Sequence, residues 1–511
     1  MSDWSAGYVS NIGYTFGYYH ELNPLRLQLA FLNAGLAFPE IGTACELGYG
    51  QGISTNLHAA SSVTQWYGTD FNPSQVFFAQ QLARSAEAGA KLFDESFSEF
   101  SNRSDLPDFD YIGMHGIWSW ISDTNREVIV DFIRRKLKVG GVLYISYNTL
   151  PGWASFAPMR QLMTLHADII GAEGHGIVNR IDGAVSFVEK MLETNPLYAR
   201  ANPSVNDRMK NIKEQNRHYL AHEYFNRDWH PMHFSDLAQW LEPAKLNFAC
   251  SAHYLDHIDL INLGEEQRKF LEEITDTKFR QAVRDFMVNQ QFRRDYWVKG
   301  ARKLDALEQA ELVRSQRVVL QTHPDDIELK VSGSLGEATL SEEIYRPVIE
   351  ALADYKKKTL ARLAQAVAGK NINFPQVLQA IMILNSKGHV ASVQAEEATN
   401  KVKRHTAKLN AFLRHKARGS GDIGYLGSPV TGGGVAVSRF QQLFITAMEL
   451  DKKKPEQMAN HVWQVLKSQG QKLLKEGTAL ETEEEHLAEL NRVATEFIDK
   501  RLPALRALQV I

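Results

Sequence analysis

Short apolar runs alternate with helical periodicity along the first half of the chain. Five runs have the length and composition of strands, and each is followed by glycine or polar residues. They occupy 43–47, 63–70, 91–93, 109–114 and 142–147. Strands that alternate with helices at this spacing indicate βαβ units in a doubly wound parallel sheet. The pattern therefore predicts an α/β, Rossmann-like domain with its ligand site beyond the carboxyl ends of the strands.

A helical insertion is predicted after the fifth strand. Residues 155–225 have helical periodicity that is interrupted by two prolines. An insertion at this point would overhang the ligand site, where it could act as a lid or select the acceptor. A helix over 234–241 and a strand over 246–250 are predicted to close a first domain at 1–260.

The second half of the chain is predicted to be mainly helical. Residues 264–315 are expected to form helices, followed by a strand pair over 317–320 and 327–331. Helices and a short wing-like segment at 388–393 favour a winged-helix module, and the glycine-rich 419–437 is predicted to be a connection. The domains expected after residue 260 are a middle domain at 261–350, a basic winged-helix-like domain at 351–420 and a helical domain at 421–511.

Composition places the chain among globular proteins. Of its 511 residues, 44% are hydrophobic and 23% are charged, which excludes wholesale disorder. The formal net charge of −3 argues against a protein that binds nucleic acid over its whole surface. The two cysteines, Cys45 and Cys250, provide neither a disulfide framework nor a cysteine-based zinc site.

Charge is distributed unevenly along the chain. Residues 351–420 contain 13 Lys or Arg against 3 Asp or Glu, a local net charge of +10. The remainder of the chain must then carry a net charge of −13, so a basic module is attached to an acidic protein. Such a module could face an acidic partner, or its charges could simply be solvated helical faces. Shape and charge alone leave protein and nucleic acid open as its partner.

A cytoplasmic location without membrane insertion is expected. The first residues lack the basic start and apolar core of a signal peptide. The longest uncharged run, 139–159, is broken by glycines and prolines, which indicates a buried strand followed by a loop.

The clearest motif follows the first strand, in Glu46-Leu47-Gly48-Tyr49-Gly50-Gln51-Gly52. Glycines at alternate positions let the backbone pass close to a ligand. The dinucleotide fingerprint spaces its glycines differently and seats a pyrophosphate, which a preceding carboxylate would repel. Glu46 instead suits a cationic ligand such as a sulfonium amino acid. Asp70 ends the second strand and is placed to accept both hydroxyls of a ribose, although a helix-capping role is its alternative.

These residues resemble the class I S-adenosylmethionine-dependent methyltransferases, over about residues 1–260. Two further segments, His-Gly-Ile-Trp-Ser-Trp at 115–120 and Ser-Tyr-Asn-Thr-Leu-Pro-Gly-Trp at 146–153, are similar to one bacterial subgroup of that family. The likeness extends to 292–294 and 426–430. This subgroup carries a methyltransferase regulatory domain and includes protein lysine methyltransferases that act on bacterial surface proteins.

The resemblance implies S-adenosyl-L-methionine as the cofactor and a regulatory role for 261–350. Ser96 stands where many relatives have an acid that takes the adenine amino group, and a serine accepts that hydrogen bond more weakly. The implied cofactor-binding residues are Glu46, Gly48, Tyr49, Gly50, Gly52, Asp70, Phe71, Ser96, Phe97, His115 and Gly116.

Aromatic and polar residues near the strand ends are candidates for an acceptor channel. Such a channel would lower the pKa of a lysine amine, and aromatic faces attract a sulfonium. Trp118, Trp120, Tyr147 and the aromatic cluster at 14–20 have core packing as their alternative. No obligatory general base is expected, because positioning accounts for much of an in-line methyl transfer. The candidate catalytic residues are Tyr18, His115, Trp118, Tyr147 and Asn148.

The leading hypothesis is a methyltransferase of protein lysine side chains. Its C-terminal domains are expected to choose a protein or peptide substrate. Deletion of 300–511, if the remainder folds, is expected to spare cofactor binding but to impair acceptor choice. One alternative is N- or O-methylation of a peptide natural product or small molecule. The other is a weakly active methyltransferase-like scaffold that binds a partner.

Overall fold

A seven-stranded sheet forms the centre of the protein. The computed structural model describes residues 7–9, 12–171, 174 and 176–511. The strands of the central sheet are β1 (Thr43–Leu47), β2 (Gln65–Asp70), β3 (Lys91–Asp94), β4 (Phe109–Met114), β5 (Leu137–Asn148), β6 (Leu246–Ser251) and β7 (Phe292–Lys299). Their order is β3-β2-β1-β4-β5-β7-β6, and β7 runs antiparallel to both of its neighbours. The predicted Rossmann-like α/β domain is confirmed.

Helices alternate with the first five strands, as the sequence pattern predicts. They are α1 (Pro24–Asn33), α2 (Ile53–Ser61), α3 (Pro73–Ala86), α4 (Phe97–Ser101) and α5 (Asp123–Lys136). Successive strand residues point to opposite faces of the sheet. Ala44, Trp66 and Tyr144 accordingly join one buried cluster, whereas Cys45 and Leu143 join another.

The insertion after β5 is helical, as predicted. Its helices are α6 (Leu150–Trp153), α7 (Ala157–Ile169), α8 (Gly176–Glu193), α9 (Leu197–Ala201), α10 (Ser204–Glu214) and α11 (Arg217–Tyr224). They build a buried cluster of their own around residues such as Met163, Val185 and Leu220. The chain then returns to the sheet through α12 (Phe234–Leu241), α13 (Asp259–Asn262), α14 (Glu265–Glu272) and α15 (Thr277–Met287).

The structure corrects the expectation that 264–315 is wholly helical. β7 lies within that range and occupies the position between β5 and β6. Its sequence contains Arg293 and Asp295, which are buried and form an ion pair with 2.8 Å between Nε and Oδ2. Charged residues at buried positions conceal a strand from an analysis of apolar pattern. The boundary expected at residue 260 therefore falls before the strand that completes the sheet.

The C-terminal half consists mainly of helices with small sheets between them. Its helices are α16 (Ala306–Ser315), α17 (Glu342–Glu350), α18 (Leu360–Val367), α19 (Phe374–Ser386), α20 (Glu396–Ala417), α21 (Arg439–Glu449), α22 (Pro455–Ser468), α23 (Glu483–Glu496) and α24 (Leu502–Ala507). Its strands are β8 (Arg317–Leu320), β9 (Lys330–Gly333), β10 (Gly336–Thr339), β11 (Lys358–Thr359), β12 (Val390–Ser392), β13 (Tyr425–Ser428), β14 (Gly433–Ala436), β15 (Leu474–Lys475) and β16 (Thr478–Ala479).

Strand pairing in this half differs from the sequence prediction. β8 pairs with β11 and β12, whereas β9 forms a hairpin with β10 across a two-residue turn. The expected pairing of 317–320 with 327–331 is therefore wrong. A winged helix is not confirmed, because β12 pairs with a strand that precedes the helices instead of folding into a wing.

The glycine-rich segment 419–437 contains a largely buried hairpin, formed by β13 and β14, where a connection was predicted. β13 and β14 pair along their whole length. A Cβ at Gly434 would lie 3.0 Å from Leu57 Cδ1 on α2, so glycine here permits close approach between the hairpin and that helix.

The C-terminal half covers α2 of the methyltransferase-like domain. All nine residues of α2 are buried. The Thr406 hydroxyl of α20 donates to the Ala60 carbonyl at 2.7 Å, and the Gln394 amide donates to the Ser61 carbonyl at 2.8 Å. One basic residue of α20, Lys408, pairs with Glu87 beyond the end of α3. Lys408, one of the residues of the basic segment 351–420, therefore forms an ion pair between the two halves of the chain. Among the described residues, no helix is long and apolar enough to cross a membrane.

Candidate functional site

A cavity lies at the carboxyl ends of the first strands, at the place predicted for the ligand. We call it the first cavity. It is lined by residues 46, 48–53, 70–72, 75, 95–97, 115–117, 120–122 and 125, together with Tyr8, Tyr14, Thr15, Gly17, Tyr19 and Asp228. Among these described residues four are acidic and none is Lys or Arg, so the ionisable wall of the cavity favours a cation.

The glycine loop after β1 forms one edge of the first cavity. Gly48, Gly50 and Gly52 have φ values of 71°, 56° and 68°, a region that favours glycine. Gly52 caps α2, and a Cβ there would lie 2.5 Å from Ala79 Cβ on α3. Larger residues would therefore push the loop away from α3 and change the edge of the cavity.

Asp70 is held at the end of β2 by backbone donors. Its Oδ2 accepts a hydrogen bond from the Gly50 amide at 2.8 Å, and its Oδ1 accepts one from the Asn72 amide at 3.0 Å. Burial nevertheless raises the pKa of Asp70 to about 6. Each carboxylate oxygen has a second acceptor direction, so two ribose hydroxyls can still be accepted.

Glu46 lies deeper in the same cavity. Its Oε2 accepts a hydrogen bond from the Thr55 hydroxyl of α2. Burial, with a smaller contribution from repulsion by Asp70, raises the pKa of Glu46 to about 8. Two neighbouring buried carboxyls without a basic partner are stabilised in their ionised form when a cation enters.

The adenine end of the cavity places Ser96 and Glu95 in different roles. The Ser96 hydroxyl donates to Glu99 Oε2 at 2.8 Å within a capping box at the start of α4. Glu95 pairs through Oε1 with Arg103 at 2.6 Å, whereas its Oε2 is buried without a partner in the described part of the chain. A free acidic acceptor thus stands one residue before the position where the family pattern places it.

His115 and Tyr19 form the wall between the first cavity and a second one. Their rings stack with centroids 3.7 Å apart. His115 Nδ1 lies 2.7 Å from the Tyr144 hydroxyl, and the Gly116 amide donates to Ser146 Oγ at 2.8 Å. Burial lowers the pKa of His115 to about 4, so the imidazole is neutral at physiological pH.

The second cavity lies under the helical insertion. It is lined by residues 148, 152, 153, 155, 156, 204, 207, 208, 211, 212, 215, 219, 223, 224, 289, 291 and 292. It shares five residues with the first cavity, namely Tyr14, Tyr19, His115, Gly116 and Trp120. The two cavities therefore meet at an aromatic wall, which suits a reaction between a ligand in one and a ligand in the other.

Aromatic side chains and Arg208 form part of the second cavity. The Arg208 guanidinium lies 3.7 Å from the centroid of the Trp153 ring and 4.8 Å from that of Phe156. This stacking fixes the cation of α10 against α6 and the residue that precedes α7. The insertion thus contributes polar and aromatic groups to the site, as expected for a segment that overhangs it.

All eleven residues predicted to bind the cofactor line the first cavity. Of the five catalytic candidates, His115 lines both cavities and Asn148 lines the second, where its Nδ2 is buried without a described partner. The remaining three lie outside both cavities.

Those three aromatics have structural contacts instead. The Tyr18 hydroxyl lies 3.2 Å from His58 Nε2, and its ring packs against the β13–β14 hairpin. Trp118 is fully buried, with its indole N–H directed at Met232 Sδ, 3.2 Å away. Tyr147 donates to Asp295 Oδ2 at 3.0 Å inside the sheet. Trp118 and Tyr147 therefore belong to the buried core, which was the alternative raised for both residues.

Several lining residues were not found from the sequence. Tyr8 and Asp228 reach the first cavity from segments distant in sequence, and Glu223 and Arg208 reach the second from the insertion. For Arg208 and Glu223 the signal was position within the insertion expected to overhang the site; Tyr8 and Asp228 lie outside that segment. In the described residues no group of three or more His, Cys, Asp or Glu side chains could hold a metal ion.

The strand order, with an antiparallel strand between the fifth and sixth, and the glycine loop define the class I methyltransferase fold. Two solved structures of PKMT2 from Rickettsia typhi match it along nearly the whole chain. The complex with AdoHcy has a TM-score of 0.69 and 16% identity, and covers 97% of this chain and 99% of that one. The other has a TM-score of 0.67 and 16% identity, with coverage of 97% and 98%.

Sequence relatives identify the family to which the chain belongs within this fold class. The protein sll1526 of Synechocystis is 42% identical over 512 residues, covering 99% of both chains. RP789 of Rickettsia prowazekii is 26% identical over 54% of this chain and 49% of that protein. The family model described as a predicted methyltransferase regulatory domain matches residues 216–299. The chain belongs to the family of the Synechocystis protein and carries this regulatory domain, which confirms the resemblance inferred from its motifs.

The matched domain is part of the site. It begins at the start of α11, which lines the second cavity, and ends with β7 of the central sheet. It thus overlaps only the first part of the range 261–350, to which a regulatory role was attributed.

Proposed function

We propose that the protein is an S-adenosylmethionine-dependent methyltransferase that modifies lysine side chains of a protein substrate. The observation that carries the proposal is the joining of the two cavities. One has only acidic groups among its described charged residues, and the other opens beneath the insertion. The name of the Rickettsia protein PKMT2, which suggests protein lysine methylation, and its complex with AdoHcy support this choice at the level of fold.

The residues of the first cavity fit the cofactor. Glu46 would face its cationic methionine portion and Asp70 its ribose, and the positive-φ glycines give its backbone close access. We assign the adenine amino group to Glu95, whose buried Oε2 lacks a described partner. When bound, S-adenosylmethionine supplies an electrophilic methyl group.

The chain's own residues would orient the acceptor and exclude water. Tyr19 and the neutral His115 form the wall through which the acceptor reaches the first cavity. Asn148, with its unpaired Nδ2, provides a polar group at the same boundary. Positioning of this kind can supply much of the acceleration of an in-line displacement.

The test uses the purified full-length chain. Calorimetry with S-adenosylmethionine and S-adenosylhomocysteine measures binding, and methyl-labelled cofactor with a cell lysate measures transfer. We expect binding of both ligands and label in protein, recovered after hydrolysis as methyl-lysine. Label in small molecules, or in another amino acid, would replace the lysine proposal. Absence of binding would reject the methyltransferase activity itself.

A further inference from the structure

The second cavity contains a carboxylate that no described residue compensates. Glu223 lies on α11 and is half-buried because its side chain faces the cavity. Its side-chain carboxylate has no hydrogen bond or ion pair with any residue that the structure describes. Glu46 and Asp70 in the first cavity, by contrast, accept hydrogen bonds from Thr55 and from backbone amides.

Aromatic residues surround this carboxylate. Burial raises the pKa of Tyr14, Tyr19 and Tyr219, and the nearby charge of Glu223 raises the pKa of each one further. The Trp120 indole donates to the Glu223 carbonyl at 3.3 Å and so fixes this turn of α11 beside the shared wall. Glu223 therefore stands in the second cavity at its junction with the first.

Such a position attracts a cation. An isolated carboxylate is costly in surroundings of low polarity, and a cation that enters is stabilised both by the carboxylate and by the aromatic faces. Arg208 of the same cavity does not fill this role, because its guanidinium stacks on Trp153 and Phe156 and makes no ion pair with Glu223.

The chemistry favours an alkylammonium over a guanidinium. Burial raises the pKa of Glu223 to about 7, and the same surroundings lower the pKa of an entering amine. Proton transfer from an ammonium to this carboxylate is therefore feasible near neutrality. A guanidinium keeps its proton in proteins and would remain an inert cation.

We propose that Glu223 binds the ammonium group of the acceptor lysine in the second cavity and accepts one of its protons. The inference rests on the proposed function and adds to it the acceptor site and its base. In the transfer an N–H bond breaks and an O–H bond forms on Glu223, with no change of oxidation state. The nitrogen keeps the electron pair and becomes a nucleophile beside the first cavity. The proton then passes from Glu223 to water.

Other titratable groups face Glu223 from each neighbouring element. They are the hydroxyls of Tyr8, Tyr14 and Tyr19 on the N-terminal segment, those of Tyr219 and Tyr224 on α11, Asp207 and Arg208 on α10, and His115 after β4. The raised pKa values of the tyrosines and the lowered pKa of His115 keep the five phenols and the imidazole neutral near pH 7. Within the second cavity, the change in protonation expected near pH 7 is therefore that of Glu223.

The first test observes the carboxyl group directly. Full-length protein with ¹³C-labelled glutamate carboxyl groups is titrated by NMR in its complex with S-adenosylhomocysteine, as wild type and as Glu223→Gln. We expect that the resonance absent from the variant titrates near neutrality and that n-butylamine lowers its midpoint by at least about one pH unit, roughly a tenfold preference for the ionised form. n-Butanol should leave the midpoint unchanged. A midpoint that does not respond to the amine would overturn the proposal.

The second test measures transfer to the lysate acceptor. Glu223→Gln should lower kcat/KM about 100-fold, the range for loss of a general base, and remove the inflection near neutrality from the pH profile. Affinity for S-adenosylhomocysteine should stay within twofold, and the melting temperature should not fall. Glu193→Gln, which removes an exposed carboxylate of α8, is the matched control. Retention of kcat/KM within threefold in Glu223→Gln would overturn the proposal.

The two tests separate this inference from the proposed function. A wild-type protein that neither binds S-adenosylmethionine nor transfers a methyl group would refute the proposed function. The titration with n-butylamine would still decide, in the protein without S-adenosylhomocysteine, whether Glu223 binds an amine.

Discussion

The two cavities are built by different means. The first is formed by loops at the ends of parallel strands, and its key atoms are fixed by backbone conformation and backbone hydrogen bonds, as at Gly52 and Asp70. The second is formed by side chains of the inserted helices, among them Arg208 and Glu223. A site built on backbone geometry suits a ligand that does not vary, whereas a site built on side chains can be altered to suit a particular acceptor.

The largest effect on the first cavity is expected from removal of the C-terminal half of the chain. Deletion of 300–511 should prevent folding of the first cavity, because α2 begins at the glycine loop and α20 and the β13–β14 hairpin complete the burial of this helix. Exposure of Ile53, Leu57 and neighbouring apolar residues costs about 1.5–3 kcal/mol for each large side chain, comparable in sum to the stability of a domain. Circular dichroism and S-adenosylhomocysteine binding measure the effect.

The expectation that such a deletion spares cofactor binding applied only to a remainder that folds, and we expect that this condition is not met because the C-terminal half contributes to the burial of α2. A soluble 1–299 fragment with wild-type affinity for S-adenosylhomocysteine would show that the covering of α2 is dispensable.

Asp70→Ala should act on the first cavity alone. We expect cofactor binding to weaken by roughly 2–3 kcal/mol, the range for lost hydrogen bonds to a charged group. Titration of Glu223 by n-butylamine should remain unchanged, because Asp70 does not line the second cavity. Calorimetry and NMR provide the two readouts, with Asp70→Asn as a variant that keeps one acceptor oxygen. An equal loss at both cavities would mean that they are not independent.

Glu95→Gln should have a smaller effect, on the adenine end. Replacing a charged acceptor by a neutral one should weaken S-adenosylhomocysteine binding by about 1 kcal/mol. Ser96→Ala is the comparison: it should lower stability by about 1 kcal/mol through loss of the α4 cap but leave affinity within twofold. Calorimetry and thermal unfolding separate the two quantities. If Ser96→Ala weakens binding more than Glu95→Gln does, the adenine contact belongs to Ser96.

The last prediction concerns the pH dependence of the stability of the ligand-free protein. The pKa of Glu46 is raised from an ordinary 4.5 to about 8, so the folded state binds more protons than the unfolded state between these values. Stability should therefore fall as pH rises through this window. Glu46→Gln should show a shallower decline and exceed the wild type in melting temperature at the alkaline end. If the melting temperatures of the two proteins decline equally with pH, ionisation of the buried Glu46 does not destabilise the fold.

Sequence reasoning located residues of the first cavity where their positions follow from nearby strands. Glu46, the loop glycines and Asp70 stand at fixed offsets from strands with strong apolar patterns, so their convergence follows from the topology of a parallel sheet. All of them line the first cavity.

Sequence reasoning failed where the direction of a side chain, or packing between distant segments, determines which residues reach the site. Tyr147 and Asn148 are adjacent at the end of β5, yet strand alternation buries the first against Asp295 and turns the second to the cavity. Glu223 reaches the site only through the packing of the insertion, which no local pattern encodes. The β13–β14 hairpin was missed because its glycines resemble those of a loop, although they serve close approach to α2.

The buried carboxyl groups of the first cavity also govern the proton stoichiometry of binding. At neutral pH, Glu46 is mostly protonated in the ligand-free protein, because its pKa is about 8. A sulfonium ligand lowers that pKa, so a proton leaves when the ligand enters. The measured heat of binding must then depend on the ionisation enthalpy of the buffer, and affinity must rise with pH below pH 8. S-adenosylhomocysteine, which has no sulfonium charge, should release fewer protons in the same site.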